Sequence, residues 1–223
     1  MDTAKGCIEE IYLDGRRAAR FSCSPALVPA PGQYLLAHTA DSDSPLAHPV
    51  YQAGTCPGGF YAAPPLPSNW HPGAKLTLHG PFGHGFNLPA SSRFVALAAF
   101  GETCARLLPL LEPALAQKAA VVLLTDNPPS GLPSAVEISP LSALAETAQW
   151  ADYLAIDIPR AILTETFESL KILSYVGYAQ IFIETPVPCG GIADCGVCAV
   201  NVRKGYKLAC KDGPVFDLKT ILE

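Results

Sequence analysis

Residues 75–99 read KLTLHGPFGHGFNLPASSRFVALAA, and the character of the chain changes within them. At 75–79 apolar and polar side chains alternate, the period of a strand with one buried face. Phe94–Ala99 lies in an unbroken apolar run between Arg93 and Gly101, the pattern of a strand buried on both faces of a parallel sheet. Between the two lies a Gly- and Pro-rich turn, residues 80–86.

Upstream of that turn the pattern stays β. Strand-like stretches fall at 8–13 (before Asp14-Gly15), 18–23, Tyr34–Thr39 and Gly59–Ala62. Pro29, Pro31-Gly32, Pro57-Gly58-Gly59 and Pro72-Gly73 punctuate them. Short strands at this spacing predict a small antiparallel β-barrel over residues 1–89. Downstream, apolar strands at 119–125, 135–138, 153–158 and 181–184 are interleaved with helix-compatible segments at 141–149 and 161–173. That alternation predicts an α/β parallel-sheet domain over 90–184. The connection 103–118 carries Pro109 and Pro113, so its helix should be short or kinked. Residues 185–223 form a small turn-rich third unit, giving an α+β multidomain chain.

Bulk composition narrows the function. With 223 residues, 49% hydrophobic and 16% charged, the chain can build real cores and has little room for long disorder. A net charge of −5 supplies no electrostatic drive toward nucleic acid or an anionic membrane. No run of 18 apolar residues suits a membrane span, and the N-terminal MDTAKGCIEEIYLDG lacks the apolar core of a signal peptide. The expectation is a cytoplasmic protein. No P-loop or Gly-x-Ser-x-Gly elbow opens a kinase or hydrolase reading. His71, His79 and His84 lack metal-site spacing and read as surface or turn residues; His38 reads as an interior histidine.

The chemistry gathers in the cysteines. Cys7, Cys23, Cys56 and Cys104 are scattered and read as small buried hydrophobes. Cys189, Cys195, Cys198 and Cys210 crowd into the tail with the spacing Cys-x5-Cys-x2-Cys-x11-Cys. Plant-type [2Fe–2S] sites use a similar loop of three thiolates and a distant fourth. The loop must bring its backbone close to the bridging sulfides, and Gly190, Gly191, Ala193 and Gly196 allow this. Structural zinc is the competing reading, although it usually takes two Cys-x2-Cys knuckles and only Cys195 and Cys198 form one. Two disulfides are the third. Arg203, Lys204, Lys207 and Lys211 form a small basic group, read as solvated surface or as a guide for an acidic redox partner.

The tail CGGIADCGVCAVNVRKGYKLACKDGPVFDLKTIL resembles the end of the electron transfer subunit of class B dihydroorotate dehydrogenase, most closely in Lys211-Asp212-Gly213-Pro214-Val215-Phe216 after the last cysteine. Pro31-Gly32-Gln33-Tyr34 is similar to that family's Pro-Gly-Gln-Phe strand. The run Gly80-Pro81-Phe82-Gly83-His84-Gly85-Phe86 is similar to its Gly-Pro-Leu-Gly-Asn-Gly-Phe turn. The resemblance implies a ferredoxin-reductase-like barrel for FAD, an α/β domain visited by NADH and a C-terminal [2Fe–2S] unit. Electrons would pass from NADH through FAD and the cluster to a partner subunit carrying FMN, in a hetero-oligomer.

The chain also departs from the family. His48-Pro49-Val50-Tyr51 stands where the flavin strand carries Arg-Pro-x-Ser, so a neutral imidazole replaces a bidentate guanidinium. These four residues remain the candidate FAD contacts. Ala63-Pro64 replaces a Gly-Thr phosphate turn, and Pro64 has no N–H to donate. Residues 98–107, AAFGETCARL, stand in place of a glycine-rich dinucleotide loop and keep one glycine, while Glu102 brings negative charge. Ala155-Ile156-Asp157-Ile158-Pro159 takes the place of the Cys-Gly-Pro segment near the nicotinamide. The expectation is that NADH binding is lost. The alternatives to a working electron-transfer subunit are a scaffold or relay subunit without FAD and NADH, and a zinc-stapled interaction protein.

Overall fold

The computed structural model describes residues 2–12, 18–39, 46–171, 177–202 and 204–222. Six antiparallel strands close a barrel in the order β1-β2-β5-β4-β3-β6. They are β1 (Asp2–Ile11), β2 (Ala19–Ser22), β3 (Tyr34–Thr39), β4 (His48–Cys56), β5 (Gly59–Ala62) and β6 (Lys75–Phe82). Alternation decides which side chains fill it. From β3, Leu35 and Ala37 join Ile8, Phe21, Val50, Phe60, Leu76 and Leu78 in the barrel core. Tyr34 and Leu36 point the other way, into a second core shared with the rest of the chain.

The five strands β7 (Phe94–Ala99), β8 (Ala120–Thr125), β9 (Val136–Ser139), β10 (Tyr153–Pro159) and β11 (Tyr178–Glu184) are parallel, in the sheet order β11-β10-β7-β8-β9. The chain starts at β7, steps outward to β9, then returns to lay β10 on the other side of β7. This reversal makes a crevice at the carboxyl ends of β7 and β10, where open α/β sheets bind ligands. The helices α1 (Leu111–Ala116), α2 (Leu144–Trp150) and α3 (Arg160–Lys171) connect the strands. The expected short first connection is found: a 3-10 turn, Leu108–Leu110, runs into the six-residue α1.

The tail is tied to both larger units. A hairpin of β12 (Ala199–Val202) and β13 (Gly205–Leu208) leads to α4 (Ala209–Asp212). Then β14 (Val215–Asp217) pairs antiparallel with β11, Ile181 opposite Phe216, before α5 (Leu218–Leu222). So the central sheet has a sixth strand drawn from beyond the cysteines. Barrel and tail also meet directly: the His84 N–H donates to the Gly213 carbonyl at 2.6 Å, and Val215 N–H to the His84 carbonyl at 3.4 Å.

One reading needs correction. Of the four scattered cysteines only Cys104 is buried; Cys7, Cys23 and Cys56 are half-buried. His84 is exposed in the turn, as read from sequence, and it also clamps the tail, since its Nδ1 lies 3.1 Å from the Asp212 carbonyl. The turn at Asp14-Gly15 falls outside the described residues. Among the described residues, no helix is long and apolar enough to cross a membrane.

Candidate metal centre

Residues 189–198 loop out after β11 and return into β12, with turns closed by Gly190 N–H on Val187 O (3.2 Å), Ile192 N–H on Cys189 O (3.0 Å) and Ala199 N–H on Gly196 O (3.0 Å). Cys210 enters from α4, which the Ala209 N–H to Cys198 carbonyl bond (3.1 Å) holds against the loop. The four sulfurs meet as two pairs: Cys189 and Cys195 Sγ are 3.5 Å apart, Cys198 and Cys210 Sγ 3.2 Å. Two thiolates on one tetrahedral metal with bonds of ~2.3 Å stand ~3.8 Å apart, and a disulfide would need ~2.05 Å. Each pair is therefore close to the spacing of two ligands on one iron. Among the described residues no three His, Cys, Asp or Glu side chains converge on a single ion. The donor set suits a two-metal cluster with two thiolates per iron better than one zinc with four.

The pairs differ in surroundings. Cys195 is exposed and Cys189 half-buried, whereas Cys198 and Cys210 are buried. Backbone hydrogen bonding at Ala193 draws the Cys189 thiol down to about 7, while burial pushes Cys210 up to about 12. Gly190 adopts φ +54°, and a Cβ there would sit 2.3 Å from Leu36 Cδ1. The loop thus lies flat on the outward face of β3 only because this residue has no side chain. The basic group is partly spent: Lys211 Nζ pairs with Asp194 Oδ1 at 2.5 Å across the mouth of the loop. Lys204 is exposed, Lys207 half-buried, and Arg203 lies outside the described residues.

Among the described residues two buried polar side-chain atoms have no hydrogen-bond partner, Tyr34 Oη and Thr185 Oγ1. Tyr34 is wholly buried, its ring 5.8 Å from Tyr51 and 5.5 Å from Phe82.

The four candidate flavin residues are placed on β4, but they turn to different surroundings. His48 packs edge-on to Trp70 with ring centroids 5.5 Å apart, and its Nε2 lies 3.3 Å from the Pro65 carbonyl. Burial lowers its pKa, so it carries no standing positive charge for a phosphate. Pro49 is held opposite Leu36, and Val50 fills the barrel core. Tyr51 is buried, edge-on to Phe182 at 5.1 Å. The Arg106 guanidinium lies 5.8 Å from the Tyr51 ring and 5.0 Å from that of Phe182. Beside the Arg-Pro-x-Ser motif that this strand resembles, the four residues offer flavin phosphates no guanidinium, Pro64 offers no N–H, and Tyr51 packs against Phe182.

Arg106 is the functional-looking residue that sequence reasoning passed over. It comes from the loop after β7 and reaches the crevice at the strand ends. There Nε and Nη2 donate to Asp157 Oδ2 (2.9 Å) and Oδ1 (3.0 Å), and Nη2 also to Glu184 Oε2 (3.0 Å). Burial works against the guanidinium's charge, but the adjoining Asp157 outweighs it and holds Arg106 fully protonated. A signal was available: Asp157 is one acid inside the apolar strand Tyr-Leu-Ala-Ile-Asp-Ile, and such a charge needs a partner.

Comparison with known proteins agrees with this geometry. Residues 189–222 match the family model for the iron–sulfur cluster binding domain of dihydroorotate dehydrogenase B. Two curated relatives, the putative dihydroorotate dehydrogenase B (NAD(+)) electron transfer subunits of Thermotoga petrophila and Thermotoga maritima, are each 30% identical over 148 residues. The match covers 64% of this chain and spans 62% of each relative's length. Among solved structures, a chain of an NADH-dependent reduced ferredoxin–NADP oxidoreductase studied for flavin-based electron bifurcation aligns with TM-score 0.71 at 14% identity, covering 99% of this chain and 90% of that one. The ferredoxin NADP+ reductase of Neisseria gonorrhoeae, solved with FAD and NADP bound, aligns with TM-score 0.53 at 13% identity over 82% of this chain and 98% of that one. The fold is thus one on which FAD is carried in at least one neighbour. By these likenesses the chain has a ferredoxin-reductase-like fold, and its residues 189–222 are similar to the iron–sulfur cluster binding domain of dihydroorotate dehydrogenase B.

Proposed function

We propose that this protein is an iron–sulfur electron-transfer subunit in which Cys189, Cys195, Cys198 and Cys210 hold a [2Fe–2S] cluster facing a partner redox subunit. The observation that carries the reading is the meeting of the four sulfurs as two close pairs, one exposed and one buried. A cluster of this kind supplies one-electron transfer between proteins. The chain's own residues do the rest. Cys198 and Cys210 fix the inner side in an apolar setting, and Cys189 and Cys195 leave the outer side open toward solvent and a partner. Exposed Ile192 and Val197 beside them offer apolar contact area. We read residues 1–89, 90–184 and 185–223 as barrel, α/β and cluster units. The names of the relatives, electron transfer subunits of dihydroorotate dehydrogenase B, support a dihydroorotate-dehydrogenase-like partner in a hetero-oligomer; that this partner carries FMN is what the family resemblance implies, and we read the assembly as cytoplasmic.

The packing of Tyr51 and Arg106 favours a particular version of this role, a relay that neither takes hydride from NADH nor holds flavin at β4. Protein purified without oxygen should be brown, absorb broadly near ~420–460 nm and yield two irons and two sulfides per chain. Cys198→Ala and Cys210→Ala should each abolish the colour, and Cys7→Ser should keep it. Colourless protein with a single zinc overturns the proposal.

A further inference from the structure

The hydroxyl of Tyr34 is a distinctive group near the cysteines. The strand it opens resembles a Pro-Gly-Gln-Phe segment, so the ring is expected there and the oxygen is not. That oxygen is buried within a residue of 0% exposure and has no protein partner. A hydroxyl taken out of water and left unbonded is destabilising, so an orphan in a well-packed core marks an acceptor supplied by something else.

Three observations locate that acceptor. Tyr34 and Leu36 lie on one face of β3, and Leu36 Cδ1 rests where a Gly190 Cβ would be, directly after Cys189. The Tyr34 ring edge, Cε1, lies 3.3 Å from the position of a Gly83 Cβ, which is itself 2.6 Å from the carbonyl oxygen of Gly213, three residues beyond Cys210. Tyr34 also shares its buried core with Cys198 and Cys210. The phenol is thus enclosed between β3 and the segments that carry Cys189 and Cys210.

We propose that Tyr34 Oη donates a hydrogen bond to a sulfur of the cluster held by Cys189, Cys195, Cys198 and Cys210, and so raises its reduction potential. The inference rests on the [2Fe–2S] reading above. The sulfurs of an iron cluster keep lone pairs, and a reduced cluster carries one more negative charge than an oxidised one. A donor aimed at sulfur therefore favours the reduced form, and removing it lowers the potential. Tyr34 acts here as a positioning residue for the potential and does not carry the electron.

The test compares full-length wild type with Tyr34→Phe, which keeps the ring and its packing. Both are assayed for iron and sulfide, then titrated anaerobically with dithionite and mediators while the visible and EPR signals are followed. Both should hold two irons and two sulfides. The variant's midpoint should fall by an amount on the order of a tenfold change in the oxidised-to-reduced ratio, ~59 mV for one electron. In wild type, exchange into D2O should also shift the Fe–S stretching bands seen by resonance Raman, and part of that shift should vanish in the variant. Equal midpoints and equal isotope shifts in two cluster-loaded proteins overturn the hydrogen bond and leave the cluster reading standing. Absence of iron from wild type overturns both.

Discussion

Arg106 grips Asp157 at two points, Nε to Oδ2 at 2.9 Å and Nη2 to Oδ1 at 3.0 Å, with the side chains 2% and 0% exposed. The pair stands at the carboxyl ends of β7 and β10, the crevice where a dinucleotide would enter a sheet of this topology. A guanidinium against Tyr51 and Phe182 fills that place with the chain's own cation. The Arg106–Asp157 pair and the aromatic contacts on β4 thus belong to one packed core, which joins barrel and sheet.

Removing one partner of this pair should cost far more than removing both. Asp157→Asn or Arg106→Met strands a buried charge, which typically costs about 3–5 kcal/mol. Arg106→Met combined with Asp157→Leu leaves apolar groups of similar size and should recover much of that loss. Glu184, bonded to Arg106 and partly exposed, can meet water in the double variant. Urea unfolding midpoints for the four proteins check this; a double variant whose loss equals the sum of the single losses would show that the charges are not coupled.

Tyr51 should govern flavin entry at β4. Tyr51→Ser restores the small hydroxyl of the motif this strand resembles and vacates the space against Phe182. We expect FAD to bind the variant at least roughly tenfold more tightly than wild type, about 1.4 kcal/mol, as read by quenching of flavin fluorescence. The same change should lower stability by about 3 kcal/mol, since a large buried ring is lost. An FAD affinity unchanged by the substitution means that another feature, such as Pro64, sets the limit.

The burial of His48 gives a pH dependence of known sign. Its folded pKa lies below the unfolded value of 6.5, with burial as the main cause. Between those two values the unfolded chain binds more protons, so stability rises with pH through that window. The contribution is complete above about 6.5 and is lost as pH falls toward the folded pKa. His48→Gln should flatten the curve of urea midpoint against pH between about 7.5 and 5. A parallel fall in variant and wild type would assign the acid sensitivity to other groups.

What could be read in the sequence follows from where each signal lies. Tyr34–Thr39, Gly59–Ala62 and Phe94–Ala99 are found with the bounds read from sequence, because nearby Pro, Gly and polar residues mark their ends. His48–Cys56 carries no such pattern; Pro49 and Gly54 interrupt it, and it is a strand because β3 and β5 flank it. Val215–Asp217 is three residues long, too short for any period, and exists as a strand through its pairing with β11. The cysteine spacing announced a metal-binding loop, but the division of the sulfurs into an open and a buried pair depends on α4 folding back under Cys198. The Tyr34 hydroxyl was visible as a letter in the sequence, yet its lack of a partner is a property of packing alone.

Gly83 tests whether the cluster loop depends on anchors at both ends. One end leaves β11 at Glu184; the other returns through Gly213 and β14. Gly83 has φ +75°, and a Cβ there would meet the Gly213 carbonyl oxygen and Pro214 Cδ, each at 2.6 Å. Gly83→Ala therefore combines backbone strain with a backbone clash, and a cost of about 1–3 kcal/mol is expected. The relief available is for the tail to move away, breaking the bond from His84 N–H to the Gly213 carbonyl. Hydrogen exchange should then rise in residues 212–217 while the barrel strands β2 and β5, which do not pair with β6, keep their protection. Because Cys210 lies just before that segment, the same variant should lose iron to a chelator faster than wild type. Unchanged exchange at 212–217 with normal iron retention would mean that the pairing of β14 with β11 holds the tail without help from the barrel.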